Sequence, residues 1–513
     1  MRRVHNSPIS KKKSQETKIK FSFQKLWLYT GPGFLMSIAF LDPGNIEADL
    51  QTGFQAGHKL LWILVIGHIV GLLMQRYAAR LGVVTGFHLA EVCRREYPAV
   101  LRYTLWIMME IAIIGADMQE VIGSAIAIFL LTRGHVSLSV GVVITIANTF
   151  VFLFVDRLGI RKLEFLFFVF IGIMAASFAY EFFTIGNSAE QIISGMIIPW
   201  CKGCSTDTLI TGVGLLGSII MPHNLYLHSA LVKSREIPTN DLNLVREGNF
   251  YFLIESSIAL LVSFFINLFV VGVFAELLGH PIPDSCIPWA EKFSLHLDLP
   301  FQEISIFSGG VILGCTFTAA MTYVWGVGIL ASGQSSTMTG TYAGQFVMEG
   351  FINFEISPFR RVLLARAVAI GPTILVALYG GMSEITKLND TINVIQAIQL
   401  PFAAFPLLHF TNSSQIMGEF ANGILSKVFS SCVVLGVLMV NIGSVVGFLT
   451  HTNFQIYQQA SFIGLAILYG VLVVLSGTPF IISLFFTSDR YARWQALFLK
   501  SSGQIQLYRS LEE

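Results

Sequence analysis

The chain has 513 residues, of which 54% are hydrophobic and only 12% are charged, and its mean hydropathy is +0.68. A soluble protein of this length would carry about twice that fraction of charged residues, so the composition leaves no room for a large soluble domain. The formal net charge of +1 gives no indication of a nucleic-acid partner, and we expect none. The composition predicts an all-α polytopic membrane protein in a lipid bilayer.

Twelve apolar stretches are predicted to cross the bilayer as helices. They cover roughly residues 26–50, 60–75, 104–131, 136–155, 164–185, 207–232, 251–278, 302–330, 362–381, 391–410, 428–449 and 460–486. If the N-terminus is cytosolic, 26 of the 32 Lys and Arg residues fall in cytosolic segments, 5 fall outside and Arg366 lies within a span. Because Lys and Arg concentrate on the cytosolic side, this bias predicts cytosolic termini.

The first stretch is interrupted by Asp42-Pro43-Gly44-Asn45. Pro43 lacks a backbone N–H and its ring clashes with the preceding turn, and Gly44 is a weak helix former. We therefore expect the helix to break in the middle of the membrane, where broken backbone must be buried in protein or line a wet cavity. A loop turn between two short helices is the alternative. An ionisable group such as Asp42 at this depth indicates a functional site.

The sixth stretch carries the same interruption, Met221-Pro222-His223-Asn224, and Pro222 follows Pro43 by 179 positions. Five spans separate the two breaks, so the two broken helices run through the membrane in opposite directions. This arrangement is typical of transporters built from inverted repeats. The predicted boundaries are a basic cytosolic tail at 1–25, a first five-helix repeat at 26–185, a second at 186–411, two further helices at 412–486 and a cytosolic tail at 487–513.

The two breaks offer a mixed set of metal donors. Asp42 provides a hard anionic oxygen, Asn45 a neutral amide oxygen and Met221 a soft thioether. Unwound helix also frees backbone carbonyls, and those of Ala39 and Ser218 are the expected donors. Such a set suits a divalent transition metal better than Mg²⁺ or Ca²⁺, which prefer oxygen alone. Core packing is the alternative role of Met221.

Three acids in the third stretch, Glu110, Asp117 and Glu120, are spaced so that they share one face of a helix. Acids within an apolar span usually belong to a proton or ion pathway. Arg366 in the ninth stretch is the expected cationic partner. Static interhelical ion pairs are the alternative, above all for Glu110.

His223 lies on the second break and His228 follows five residues later. Imidazole titrates near physiological pH, so His223 is a candidate for passing or sensing protons. A metal-ligand role for His223 and a structural role for His228 are the alternatives. Asp42 joins the predicted proton pathway because a carboxylate must lose its proton to bind a metal.

Four motifs resemble the Nramp (natural resistance-associated macrophage protein) family of divalent-metal transporters. They are the two Pro-containing breaks, the run DMQEVIG from Asp117 to Gly123, and the run GQSSTMTGTYAGQ from Gly333 to Gln345, which is similar to the family's transport signature. The resemblance extends from about Trp27 to Phe486. It implies a LeuT-like fold with twelve transmembrane helices, and proton-coupled uptake of Mn²⁺ and Fe²⁺, often with Co²⁺ and Cd²⁺.

The resemblance also implies a set of metal ligands. It places them on Asp42, Asn45, Met221 and the carbonyl of Ala39, the same donors that the two breaks offer. A second carbonyl ligand falls on Ser218, where the family usually has Ala, and an amide ligand falls on Asn393, six residues before the Gln-Leu-Pro-Phe motif. Family members that carry Mg²⁺ or Al³⁺ lack the Met, so Met221 favours transition metals. The family resemblance favours a proton route through Asp117, Glu120 and Arg366.

The predicted function is proton-coupled import of divalent transition metals by alternating access, with the metal and protons as substrates and no cofactor. An amino-acid or organic-solute symporter on the same fold is the alternative, and a passive channel is a third hypothesis. An enzyme is not expected, because the chain contains neither His-Glu-x-x-His nor Gly-x-Ser-x-Gly. The plasma membrane or an endosomal or lysosomal membrane is the expected location.

Three further segments give predictions outside the proposed site. The Gly- and Ser-rich segment from Gly333 to Gly350 is expected to form tight turns on the cytosolic side. Cys201, Cys204 and Cys286 are expected in external loops, with a structural disulfide between loops and no defined pairing. Tyr508-Arg509-Ser510-Leu511 resembles a Tyr-x-x-bulky signal for an endocytic adaptor.

Overall fold

The computed structural model of the chain describes residues 20–156, 160–277, 286–293, 304–352, 360, 371, 373–374, 381–451 and 456–485. Within these ranges the regular secondary structure is helical, with no β-strand. Eight helical stretches of this part of the chain are long and apolar enough to cross a membrane. The all-α prediction is confirmed. The number twelve stays a prediction, since span 9 lies almost entirely outside the described residues.

The N-terminal part of the chain, up to the second break, contains ten α-helices. They are α1 (Phe23–Tyr29), α2 (Pro32–Ile38), α3 (Pro43–Ala56), α4 (Leu61–Thr85), α5 (Leu89–Glu96), α6 (Ala99–Leu131), α7 (Leu138–Asp156), α8 (Ile160–Ile185), α9 (Ala189–Ile197) and α10 (Thr206–Ile219).

The remaining described helices begin at the second break. They are α11 (Pro222–Leu231), α12 (Leu242–Leu277), α13 (Cys286–Glu291), α14 (Ile306–Thr316), α15 (Ala319–Ile352), α16 (Gly381–Gln399), α17 (Pro401–Asn412), α18 (Ser414–Met417), α19 (Ile424–His451) and α20 (Ile456–Phe485). Short 3₁₀ helices cover Gly57–Leu60, Val232–Arg235 and Gly418–Phe420.

Both predicted helix breaks are present. The helix α2 ends at Ile38 and α3 begins at Pro43, while α10 ends at Ile219 and α11 begins at Pro222. In each case the proline occupies the first helical position, where its missing N–H would have no helical partner in any case. The residues of the first break are buried, so the unwound backbone is enclosed by protein and not by lipid.

The segment from Gly333 to Gly350 is helical, and the prediction of tight turns there is wrong. It belongs to α15, which runs far beyond the predicted end of span 8 near residue 330. Small residues suit this position because α15 packs closely against α6: a Cβ added at Gly333 would lie 3.2 Å from the backbone oxygen of Glu120. Close packing outweighs the low helix propensity of glycine.

Two disulfides are formed, and neither joins two separate loops as predicted. Cys201 pairs with Cys204 within one loop. Cys286, at the start of α13, pairs with Cys315 in α14, and their Cα atoms are 5.0 Å apart. Cys315 comes within reach because α14 forms a short helix separate from α15, whereas the sequence pattern placed it inside a membrane span.

Candidate metal site at the two helix breaks

The first break positions Asp42 and Asn45 next to each other. Asp42 is the N-cap of α3, and its Oδ1 accepts a 2.7 Å hydrogen bond from the backbone N–H of Asn45. Such capping is the usual role of Asp at a helix start, and here it fixes the carboxylate at the break. The Asn45 side chain is also buried, and its Oδ1 accepts no hydrogen bond from the described residues. A buried amide oxygen without a donor is an acceptor site that suits a cation.

The carbonyl of Ala39 joins the two breaks. It accepts hydrogen bonds of 3.4 Å from the side-chain nitrogens of both Asn45 and Asn224. Asn224 lies in the first turn of α11, one turn from Met221, which is the N-cap of that helix and is buried. The structure thus brings residues of spans 1 and 6 into contact, as the predicted inverted repeat requires.

Ser218 lies in the last turn of α10, where backbone carbonyls lack the next helical N–H donor. Its hydroxyl donates a 2.9 Å hydrogen bond to the carbonyl of Leu215 in the same helix. The side chain is therefore satisfied within α10. The role of the Ser218 backbone oxygen as a metal ligand stays a prediction.

A third helix, α16, brings Asn393 to the first break. Its Nδ2 donates a 3.2 Å hydrogen bond to the carbonyl of Gly44, and its Oδ1 accepts a 2.9 Å hydrogen bond from Gln119 of α6. Gln119 also donates to the carbonyl of Asn389 and accepts a 3.0 Å hydrogen bond from Gln396. The amide of Asn393 therefore has a defined orientation at the break.

Gln119 and Asn224 were not recognised as site residues in the sequence. Gln119 lies between Asp117 and Glu120. Its position among acids in an apolar span was the feature of the sequence that could have identified it as a site residue. Asn224 holds the same place relative to Pro222 as Asn45 does relative to Pro43, so the repeat itself pointed to it. Both residues are buried. Asn224 donates to the Ala39 carbonyl at the first break, whereas Gln119 reaches that break through Asn393, which donates to the carbonyl of Gly44.

The predicted proton-pathway acids all lie on α6, but their surroundings differ. Asp117 and Glu120 are buried, and a Cβ added at Gly340 of α15 would lie 3.0 Å from an oxygen of each. Glu110 is half-buried and accepts a 2.8 Å hydrogen bond from the indole N–H of Trp106. The first two acids therefore face α15 and lie within one turn of Gln119, whereas Glu110 has a local partner. Arg366, the expected cationic partner, lies outside the described residues.

His223 and His228 are both buried in α11. Neither ring nitrogen of His228, nor Nδ1 of His223, has a hydrogen-bond partner within the described part of the chain. Buried polar groups normally have one, and a structural role for His228 stays the alternative to a role in the proton pathway.

The arrangement combines one carboxylate with neutral donors. No group of three or more His, Cys, Asp or Glu side chains among the described residues has a metal-holding arrangement. The predicted donors at the breaks are one carboxylate, two amides, one thioether and two backbone carbonyls. A single negative charge with soft and neutral donors suits reversible binding of a divalent transition metal.

Comparison with known proteins identifies the family. The family profile described as "Nramp: Natural resistance-associated macrophage protein-like" matches residues 33–447. The chain is 54% identical over 455 residues to natural resistance-associated macrophage protein 2 of Rattus norvegicus, covering 87% of this chain and 80% of that protein. It is 50% identical over 470 residues to protein Malvolio of Drosophila melanogaster, covering 90% and 78% of the two chains.

Two solved structures share the architecture. The structure is similar to a mutant of the manganese transporter of Eremococcus coleocola, with a TM-score of 0.77, 28% identity and coverage of 93% of this chain and 98% of that one. It also resembles Mhp1, a transporter of the nucleobase-cation-symport-1 family, with a TM-score of 0.53, 12% identity and coverage of 91% and 96%. The second likeness concerns the LeuT-like fold alone. The chain is a multi-pass membrane protein that belongs to the natural resistance-associated macrophage protein family of membrane transporters.

Proposed function

We propose that this protein moves Mn²⁺, Fe²⁺ and related divalent transition metals, with Co²⁺ and Cd²⁺ among them, across a membrane toward the cytosol together with protons. The observation that carries the proposal is the buried Asn45 Oδ1, which has no hydrogen-bond donor among the described residues and adjoins the Asp42 carboxylate at a helix break. A cation bound there would satisfy this oxygen. The likeness to a solved manganese transporter supports the same substrate class.

The six proposed ligands have distinct tasks. Asp42 neutralises half of the metal's charge, while Met221 favours soft transition metals over Ca²⁺ and Mg²⁺. The amides of Asn45 and Asn393 and the carbonyls of Ala39 and Ser218 complete the set with neutral oxygens. Since Asn45 and Asn224 donate to the Ala39 carbonyl at 3.4 Å, these long hydrogen bonds are weak and cost little to replace by a metal.

Proton coupling is proposed through Asp42 and the acids of α6. A metal binds the deprotonated carboxylate of Asp42, so its binding displaces a proton. We propose that Asp117 and Glu120 carry this proton onward, with Arg366 as their cationic partner and Glu110 farther along the same face. His223 and His228, buried beside the second break, are proposed to pass or sense protons there.

Alternating access then exposes the site to one side at a time. We propose that the helices of residues 26–185 and 186–411 form two inverted repeats that rock around the fixed breaks. Cytosolic termini follow from the distribution of Lys and Arg. The metal and protons are substrates in this proposal, and no cofactor takes part.

The membrane of residence is the plasma membrane or an endosomal or lysosomal membrane. Tyr508-Arg509-Ser510-Leu511 is the proposed contact for an endocytic adaptor. This motif lies outside the described residues, so the adaptor rests on the sequence pattern alone.

Metal uptake by purified protein in liposomes tests the proposal. Saturable Mn²⁺ uptake should be faster at an external pH of about 5.5 than at about 7.5, where fewer protons are available to drive symport. Ca²⁺ should compete poorly in the wild type and better in Met221→Ala, because the variant loses its soft donor. Met439→Ala is the matched control, since Met439 is exposed in α19.

Two results would contradict the proposal. Absence of saturable Mn²⁺ uptake would remove the metal assignment and favour the organic-solute symporter, which uptake of labelled amino acids would then test. Equal competition by Ca²⁺ in the wild type and in Met221→Ala would remove Met221 from the ligand set.

A further inference from the structure

A cavity of about 230 Å³ with a partly polar lining lies between α3, α10 and α16, beside the first break. Its polar lining consists of Gln51, Gln55, Thr211, Asp390 and Asn393. Four of these residues have no place in the proposed site. Asn393 belongs to both, so the cavity reaches the proposed metal ligands directly.

Asn393 is buried and lies at the inner end of the cavity lining. Here α10 and α16 are in close contact: a Cβ added at Gly217 would lie 2.8 Å from the backbone oxygen of Asn393 and 2.6 Å from Cβ of Ala397. The outer end of the cavity is open to the surface. Asp390 at that end is exposed, whereas Asn393, one turn further along α16, is buried. The cavity therefore leads from the surface to one amide of the proposed site.

One wall of the cavity is a chain of hydrogen bonds with a fixed direction. The hydroxyl of Thr211 donates to Gln55 Oε1 at 2.7 Å, and Gln55 Nε2 donates to Gln51 Oε1 at 3.2 Å. Gln51 Nε2 in turn donates to Glu47 Oε1 at 3.1 Å. Each glutamine oxygen thereby keeps one lone pair for another donor. The wall offers hydrogen-bond acceptors, which suit water molecules that a cation has polarised.

We propose that this cavity is a waiting site that holds the divalent cation with its water shell before the water is exchanged for the ligands at the break. A shell of about six waters at about 30 Å³ each fits the volume of the cavity. Asp390 attracts the cation at the mouth, the two glutamine oxygens bind its waters, and Asn393 takes the first inner position. This inference rests on the proposed function and adds an entry step to it.

Replacement of Asp390 tests the waiting site. Asp390→Asn keeps the size of the side chain and removes its charge, so we expect KM for Mn²⁺ uptake to rise about three- to tenfold with an unchanged maximal rate. Asp390→Glu should restore KM to near the wild-type value. The effect of Asp390→Asn should shrink when NaCl is raised to about 0.5 M, because salt screens the attraction.

Glu291→Gln is the matched control. Glu291 is an exposed acid at the end of α13 and does not line the cavity. The KM of Glu291→Gln for Mn²⁺ uptake should therefore equal the wild-type value. Normal wild-type uptake with an unchanged KM in Asp390→Asn would overturn the waiting site alone. A fall in maximal rate without a change in KM would overturn it too, and absence of saturable uptake in the wild type would overturn the proposed function and the waiting site together.

Discussion

The side-chain nitrogen of Gln119 donates a 2.9 Å hydrogen bond to the side-chain oxygen of Asn393, and so α6 orients an amide of α16 at the first break. The opposite end of the same amide donates to the carbonyl of Gly44. The Asn393 oxygen therefore points toward α6 and has one further lone pair to offer. Gln119 thus acts as a positioning residue for a proposed ligand.

Loss of this donor should weaken metal binding. We expect Gln119→Leu and Gln119→Glu each to raise KM for Mn²⁺ uptake about three- to tenfold, because each leaves Asn393 without its fixed orientation and a lost hydrogen bond costs about 1 kcal/mol. Initial uptake rates at increasing Mn²⁺ concentration measure this. If Gln119→Glu keeps the wild-type KM, the hydrogen bond does not position the ligand.

Close packing of α15 on α6 should make Gly333 intolerant of any side chain. A Cβ there would overlap Ser124 Oγ and lie 3.2 Å from the backbone oxygen of Glu120. We expect Gly333→Ala to destabilise the fold by about 1–3 kcal/mol, the usual cost of overpacking, and to lower the melting temperature of the protein in detergent.

Gly344→Ala is the control for Gly333→Ala in the same helix. A Cβ at Gly344 would have only Ile113 nearby, at 3.7 Å, an ordinary contact. Alanine also favours the helix over glycine, so the melting temperature should be unchanged or higher. Equal melting temperatures for the two variants would contradict the packing argument.

A charged cluster at the start of α5 should make stability depend on pH. Glu91 Oε2 accepts a 2.8 Å hydrogen bond from the backbone N–H of His88 and pairs with Lys233 Nζ at 2.7 Å. Burial opposes its ionisation, but His88 and Lys233 outweigh burial and hold the pKa of Glu91 below its ordinary value of 4.5. The resulting stabilisation is complete above pH 4.5 and is lost as the pH falls through the lowered pKa.

Lys233→Gln should therefore reduce stability more at neutral pH than in acid. We expect a loss of about 0.5–1 kcal/mol near pH 7, as for a partly exposed ion pair, and a smaller loss at about pH 3.5, because the contribution declines once the pH falls below 4.5. Melting temperatures of the wild type and of Lys233→Gln in detergent, taken at both pH values, measure this loss of stability. Lys202→Gln removes an exposed charge from a loop and should have no effect at either pH; a pH-independent loss in Lys233→Gln would refute the role of Glu91.

The disulfide between Cys286 and Cys315 should stabilise the segment that contains α13 and α14. The two residues are 29 positions apart, and closing a loop of this size contributes about 2–4 kcal/mol. We expect the double variant Cys286→Ser, Cys315→Ser to melt at a lower temperature than the wild type. Cys432→Ser, which removes an exposed free thiol, is the control, and non-reducing peptide mapping that pairs Cys286 with Cys201 or Cys204 would contradict the assignment.

The helix breaks were predictable because their cause is local. Pro43 and Pro222 each remove an N–H and exclude the preceding turn, whatever surrounds them. Asp42, Asn45 and Met221 were identified with them, since they adjoin those prolines. The contacts of Gln119 were not predictable in the same way, because they depend on how closely α6 approaches α16. The helix through Gly333 was missed because the propensity of glycine for turns is a local preference that packing between two helices overrides.

The short helix α2 has a mechanical consequence for the protein. Its seven residues end at the break on one side and at Gly31 on the other, and a helix of this length measures about 10 Å. A tilt of about 30° around the break would move the far end by about 5 Å. Besides the packing of its buried side chains, α2 has hydrogen bonds at that far end that resist such a tilt: Glu255 accepts from the amides of Gly31 and Gly33, and Arg235 donates to the carbonyl of Thr30. These few hydrogen bonds therefore restrain α2 at the end that would move farthest, which is where each of them opposes a tilt most effectively.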